Sequence, residues 1–327
     1  MSRIDTITKQ YLEDSRIFAD VFNYFIHDGK PIIRPEHLRP LDAVATATFR
    51  NEAPVQKTRD VLKCLIAMED DNRAYAILGI ENQTEIHYAM PVRNLLYDAL
   101  TYDKQLRDIA MQHKADKDAA TGAEYLSGFH KKDKLMPVIT LVIYFGADQW
   151  DGPTSLHEMM QLEDETLKLL VDDYRIKLIT PAQLKAEDFE KFHTNLRQVL
   201  EFIKYSKDKK SMAELMRSEA YRSIDETAVS VIEHCTHLKL KQHIKNEKGE
   251  INMCEAWDEM KQDCKTEGRA EGKAEGRIEG KAERSTEIAK SMLQDHHLTC
   301  DKIAEYSGLP LDAVQALARQ LRMECMV

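Results

Sequence analysis

Apolar residues recur at helical spacing from Tyr11 through Phe18, Val21, Phe22, Phe25 and Ile26, which predicts an amphipathic helix over 7–27 at the start of the chain. One acid interrupts the stripe. At about 100° per residue, Asp14 falls between Val21 and Phe25 on the apolar side, whereas Asp20 falls on the opposite, wet face. Asp is a favoured N-cap, so Asp14 either caps a helix beginning at Ser15 or has a task of its own on that face. The period then shortens. The runs LDAVATATF (41–49), DVLKCLIAM (60–68) and RAYAILGIENQ (73–83) are rich in apolar and β-branched residues and read as strands. The turn-forming EDDN at 69–72 joins the last two as an antiparallel hairpin.

Opposite residues in such a ladder have a constant number sum. A loop at Asp70 and Asp71 gives a sum of 141 and sets Asp60 opposite Glu81; a loop at Asp71 and Asn72 gives 143 and sets Asp60 opposite Gln83. Either register places Asp60, Glu81 and Gln83 on one face. A helix over 89–112 follows, with Pro91 near its start, then the most apolar run in the chain, MPVITLVIYFG (136–146), which predicts a strand buried on both faces. YRIKLITP (174–181) adds another strand, and Trp150, in the WDGP turn, is placed to cover the core. Helix, three strands, helix and strand in that order predict an α/β core.

From Glu187 to about Asp263 the pattern is helical, without strand-like runs. EGRAEGKAEGRIEGKAER (267–284) repeats every four residues. Its opposite charges are two apart, about 200° around a helix, and each glycine costs up to about 1 kcal/mol against alanine, so the repeat is expected to be a flexible spacer or half of a pairing between chains. The end, DKIAEYSGLPLDAVQALARQL (301–321), predicts two short helices separated by Gly308. Asp312, Gln315 and Arg319 equip the second poorly for phosphates and bases, so a small packing module is preferred to a helix-turn-helix DNA reader. The expected divisions are a core at 1–185, a helical subdomain at 186–264, a charged linker at 265–284 and a helical tail at 285–327.

Composition narrows the function classes. In 327 residues there is no uninterrupted apolar stretch of membrane-span length and no apolar leader at the N-terminus, so a cytoplasmic location is expected. Six cysteines without a CxxC pair argue for reduced thiols rather than a disulfide framework or a zinc site. A net charge of −10 disfavours long-range attraction to nucleic acid and leaves only local basic patches, foremost Lys131 and Lys132 in HKKDK. Carboxylates opposed across two strands repel unless a cation or a proton relieves them, and they form a hard-oxygen site suited to Mg²⁺ or Mn²⁺. Asp60 and Glu81 are the expected ligands. His234 and His237 lack a second ligand pair at metal spacing and read as ordinary helix residues; His87 is near enough in sequence to approach the metal edge, but a strand-end histidine without such a role is the preferred reading.

The segments KTRDVLKCLI, YAILGIENQTEIHYAMPVRNLLYDALTY, SGFHKKDKLMPVITLVIYFG and WDGPTSLHEMM resemble the Rpn family of recombination-promoting nucleases and transposases, of the PD-(D/E)xK nuclease superfamily. The resemblance spans approximately residues 8–240. It implies a restriction-endonuclease-like α-β-β-β-α-β core and a metal-dependent DNA endonuclease activity linked to recombination or transposition. It implies that Asp60, Glu81 and Gln83 are catalytic, with Asp14 as an added acid from the first helix, and that Arg93 and Tyr97 support the site or contact DNA. Gln83 stands where most of the superfamily has lysine; an amide can hold a water but cannot act as a base. A second reading remains beside the nuclease: a non-catalytic interaction protein that keeps the fold and self-associates through its helical half and repeat.

Overall fold

The computed structural model describes residues 3–321 except 43, 48–54, 59, 67–73, 162–163, 239, 241–244, 248 and 296. It divides into two compact units, 1–257 and 258–327.

The expected first helix is two helices, α1 (Arg3–Glu13) and α2 (Ser15–His27). The break is Asp14, whose backbone is extended and whose Oδ1 accepts the Arg16 N–H at 2.8 Å, so it is the N-cap of α2. α1 buries Thr8, Tyr11 and Leu12, and α2 buries Ile17, Phe18, Val21 and Phe22. Asp20 corrects the helical-wheel expectation, for it is 4% exposed. The loop before a later helix folds over it, and its carboxylate accepts from His193 N, Thr194 N and Thr194 Oγ1 at 2.6–3.0 Å. A wheel assigns faces relative to one helix; this partner lies 173 residues away.

Five strands form the main sheet. They are β1 (Leu38–Pro40), β4 (Val61–Ile66), β5 (Ala74–Gln83), β6 (Val138–Tyr144) and β7 (Lys177–Ile179), in the spatial order β1-β4-β5-β6-β7; β2 (Val44–Ala47) and β3 (Val55–Thr58) pair separately as a two-stranded ribbon. The run at 41–49 is therefore not a strand of the main sheet, which begins earlier, at β1. β1, β4 and β5 pair antiparallel, whereas β5-β6 and β6-β7 are parallel. The parallel β5-β6 pair requires a crossover, supplied by α3 (Met90–Asp116), which has Pro91 in its first turn, and by α4 (Gly122–Ser127). β6 is internal and almost wholly buried, as its apolar run predicts. Trp150 covers the core edge-on to Tyr144, with ring centroids 5.5 Å apart.

The hairpin register is the 141 alternative: Val61 pairs with Ile80, and Leu62, Lys63, Cys64 and Leu65 follow in step. A bulge between Leu65 and Ile66 shifts the sum by one beyond it. The turn at 69–72 lies outside the described residues.

The first unit continues through α5 (Glu165–Leu170), α6 (Ala186–Phe189), α7 (Leu196–Tyr205), α8 (Lys209–Leu215), β8 (Ile224–Asp225), α9 (Glu226–Thr236) and β9 (Glu250–Ile251). The helical stretch thus contains a short antiparallel ribbon, β8-β9, that alternation over two residues cannot reveal. Nor is it a separate domain, because α9 packs against both α1 and α7 and Asp20 bonds across.

α10 (Met253–Gln294) runs as one 42-residue helix through the charged repeat, which corrects the expectation of a flexible spacer. Three of every four repeat residues are good helix formers, and the helix is buried at both ends, by Met253 and Ala256 and by Ala289 and Leu293. In the second unit Ala289 and Leu293 form a small core with Ile303 of α11 (Cys300–Ser307) and Val314 and Ala318 of α12 (Leu311–Leu321). Gly308, at φ 72°, caps α11 as the sequence predicts. Four cysteines are free thiols, Cys64, Cys235, Cys254 and Cys264, but Cys300 is disulfide-bonded, which corrects the expectation of reduced thiols throughout. Disulfide pairing depends on Cα approach in space and leaves no trace in sequence spacing. Among the described residues no helix is long and apolar enough to cross a membrane.

Candidate functional site

Side chains alternate across a strand, so consecutive residues at the C-terminal end of β5 serve opposite faces of the sheet. Asn82 turns toward α1, where its Nδ2 donates to Thr8 Oγ1 at 2.5 Å. Glu81 turns toward α3, where its Oε2 accepts from Arg93 Nη2 at 3.2 Å. Glu81 is fully buried, and the Arg93 side chain is 31% exposed. Asp60 immediately precedes β4, and the register carries it level with Glu81. Its Oδ2 accepts the Asn82 backbone N–H at 2.9 Å, which fixes the carboxylate against the edge of β5. Gln83, two positions beyond Glu81, is also buried, and its Nε2 donates to Asn82 O at 2.7 Å.

Beside these residues opens a cavity of about 340 Å³ whose lining includes Asp5, Asp60, Gln83, Thr84, His87 and Arg93. Burial pushes the Asp60 carboxyl above its ordinary range, against the Asn82 N–H and the positive charges of Arg93 and Lys9, which pull it down. Tyr97, one turn on from Arg93, is buried with the Arg93 guanidinium 5.6 Å from its ring centre. Its phenol is raised by burial first, and then by the negative charges of Glu81 and Asp60. Asp60, Glu81, Arg93 and Tyr97 are therefore one electrostatic neighbourhood, and Gln83 shares the cavity wall with Asp60 and Arg93.

The other expected members are elsewhere. Asp14 does not line the cavity: its carboxylate is held by the cap bond and by the Arg16 guanidinium, 2.8 Å from Oδ2. The acid that α1 brings to the cavity is Asp5, whose Oδ1 accepts from Thr84 Oγ1 at 2.8 Å. Asp5, Thr8 and Leu12 share a helix face at i, i+3 and i+7, a signal present in the sequence but hidden by starting the helix at residue 7. Lys131 and Lys132 are exposed on the loop anchored to the far end of α3, where Lys131 N donates to Glu124. The anchor residue His113 stands twenty positions after Arg93 on α3, roughly 30 Å along the helix, so the basic pair does not belong to this cavity.

Comparisons with known proteins add nothing to this geometry: no family model, no curated protein and no solved structure matches the chain.

Proposed function

We propose that the protein is a metal-dependent DNA endonuclease that hydrolyses phosphodiester bonds at the Asp60-Glu81-Gln83 edge of its sheet, in DNA recombination or transposition. The observation that carries this reading is the hairpin register, which sets two carboxylates level on adjacent strands beside a cavity with Gln83 on the same face. The resemblance of the chain to the Rpn nucleases and the PD-(D/E)xK arrangement supports it.

The donor set suits Mg²⁺ or Mn²⁺, because both expected ligands are hard carboxylate oxygens. Asp60 and Glu81 would hold the ion. When bound, it supplies Lewis-acid polarisation and a water of lowered pKa. The Gln83 amide holds the attacking water by a hydrogen bond without taking its proton. Arg93, already at the cavity wall, meets a non-bridging phosphate oxygen when it leaves Glu81. Lys9 and Arg93 give the cavity local positive charge on an acidic protein.

One observation favours the second reading. Glu81 already has a counter-ion in Arg93, so the acids do not need a metal for stability, as expected of a scaffold that keeps the nuclease fold without cutting and associates through α10. The two are separated by incubating supercoiled plasmid with the purified chain and Mg²⁺. Asp60→Ala and Glu81→Ala are each expected to abolish nicking while the protein remains folded by circular dichroism. Nicking that persists unaltered in either variant removes the assignment, and its absence from the wild-type protein favours the scaffold.

A further inference from the structure

His113, near the C-terminal end of α3, meets the loop that returns the chain to β6. Both of its ring nitrogens face carboxylates: Nδ1 is 2.9 and 3.0 Å from the two oxygens of Asp118, and Nε2 is 2.8 Å from Asp133 Oδ2. His130 stacks on it with ring centroids 3.5 Å apart and planes 20° from parallel. Asp133 Oδ2 also accepts the His130 backbone N–H at 2.7 Å. His130 is 4% exposed, and its Nε2 is buried without a hydrogen bond, 3.6 Å from Asp118 Oδ1. One ligand atom each from His113, His130 and Asp133 lie within 4.8 Å of one another.

A structural role alone explains this arrangement poorly. Both ring nitrogens of His113 are held by carboxylates, which fixes the ring at the end of α3. The buried Nε2 of His130 makes no hydrogen bond, with the Asp118 carboxylate 3.6 Å away, beyond hydrogen-bond reach. A metal ion shared with His113 and Asp133 would give the buried His130 ring a partner.

We propose that His113, His130 and Asp133 form a site for a divalent transition-metal ion, Zn²⁺ by the chemistry of its donors, with Asp118 orienting His113 through Nδ1. Two imidazole nitrogens and one carboxylate oxygen select Zn²⁺ over Mg²⁺ or Ca²⁺, which prefer all-oxygen sites. Bonds near 2.1 Å around a tetrahedral ion place ligand atoms about 3.4 Å apart. The observed separations, from 2.8 Å to at most 4.8 Å, bracket that value, and because an imidazole nitrogen donates in its ring plane the stacked rings of His113 and His130 would tilt apart to share the ion. The Asp118–His113 bond is the usual support of a metal-bound imidazole, fixing its tautomer and ring orientation. A water completes the coordination. The ion would clasp the end of α3 to the loop before β6 and so close the excursion that contains α4. Lys131 and Lys132 fall between two ligands in sequence but are exposed. The site is independent of the Asp60 cavity.

The test is Zn²⁺ uptake by metal-stripped full-length protein, in competition with a chromophoric chelator and with excess Mg²⁺ to occupy hard-oxygen sites. Wild-type protein is expected to take up one Zn²⁺ that His113→Gln and His130→Gln each weaken at least about tenfold, and Asp118→Asn by about 10- to 100-fold. Uptake is expected to release protons and to tighten as pH rises. Should a variant misfold by circular dichroism, the Co²⁺-loaded wild-type protein decides alone: the intense visible bands of a four-coordinate ion support the site, and the weak bands of a six-coordinate ion overturn it. Equal Zn²⁺ affinity in wild-type protein and folded His130→Gln, or no uptake by wild-type protein in the micromolar range, also overturns it.

Discussion

Replacing Arg93 with methionine separates the stabilising and the chemical roles of the Glu81 carboxylate. Methionine keeps much of the length and apolar stem of arginine but removes the guanidinium 3.2 Å from Glu81 Oε2. Breaking a buried ion pair by deleting one partner costs about 3–5 kcal/mol, because the remaining charge stays desolvated. Glu81 is fully buried while the Arg93 side chain is 31% exposed, so the substitution admits water from one side and the lower end, about 3 kcal/mol, is expected. For a unit of 257 residues this lowers the melting temperature by about 6 to 12 °C. If Asp60 and Glu81 hold a divalent ion, the variant also frees a ligand. Mg²⁺ at one hundred times its dissociation constant then returns about 2.7 kcal/mol, nearly the whole loss. Differential scanning calorimetry of wild-type and Arg93→Met protein, with and without Mg²⁺, reads both effects. A variant as stable as wild type refutes the buried-charge argument; a destabilised variant that Mg²⁺ does not rescue refutes the metal assignment at Glu81.

Asp14→Ala is expected to cost about 1 kcal/mol of stability by removing the α2 cap while leaving DNA nicking unchanged. Its carboxyl is held below the usual range by the Arg16 side-chain bond first, so this contribution is present above the unfolded carboxylate pKa and lost as pH falls through the folded one; denaturant titrations at neutral and strongly acidic pH should show the difference vanish in acid. Changing Gly268, Gly272, Gly276 and Gly280 together to alanine should stabilise α10 by about 3–4 kcal/mol, because a Cβ at each meets nothing within 4 Å. Circular dichroism melts would read this, and an unchanged or lowered transition would mean that the repeat is not a solvated helix.

The parts of the site legible in sequence are those fixed by local geometry. Period-two alternation and the number-sum rule put Asp60 on one face with Glu81 and Gln83, opposite one or the other, because all three lie on one hairpin; the structure has the register that sets it level with Glu81. That success depended on the bulge at Leu65 and Ile66, which absorbs one residue between the turn and the site; without it the parity near the turn would have carried Asp60 to the other face. Arg93 and Tyr97 were singled out only by the family resemblance; helix spacing keeps them on one face of α3, but it does not show that Arg93 meets Glu81. What stayed hidden depends on contacts distant in sequence. Asp20 looked solvated until residues 193–194 folded over it, and His113 could not be linked to His130 and Asp133 by any ligand spacing within one element. The repeat was misjudged for another reason: propensity and pairing were counted within the repeat, whereas its helix is held by buried residues beyond its two ends.

Asp60, just before β4, and Glu81, near the end of β5, raise the question of how a fold tolerates carboxylates at buried positions, and the structure resolves it differently for each. Glu81 is met by a guanidinium from α3, whereas Asp60 is met by a backbone N–H and has its carboxyl raised by burial. One acid is neutralised by a counter-ion, and the other is biased toward accepting a proton. A divalent ion held by Asp60 and Glu81 would take the place of both devices. Metal binding would then be coupled to departure of Arg93 from Glu81 and to full ionisation of Asp60. The Arg93 guanidinium, which lines the cavity, would thereby be freed toward it, so on the proposed nuclease reading the Glu81–Arg93 bridge would be the closed half of an exchange.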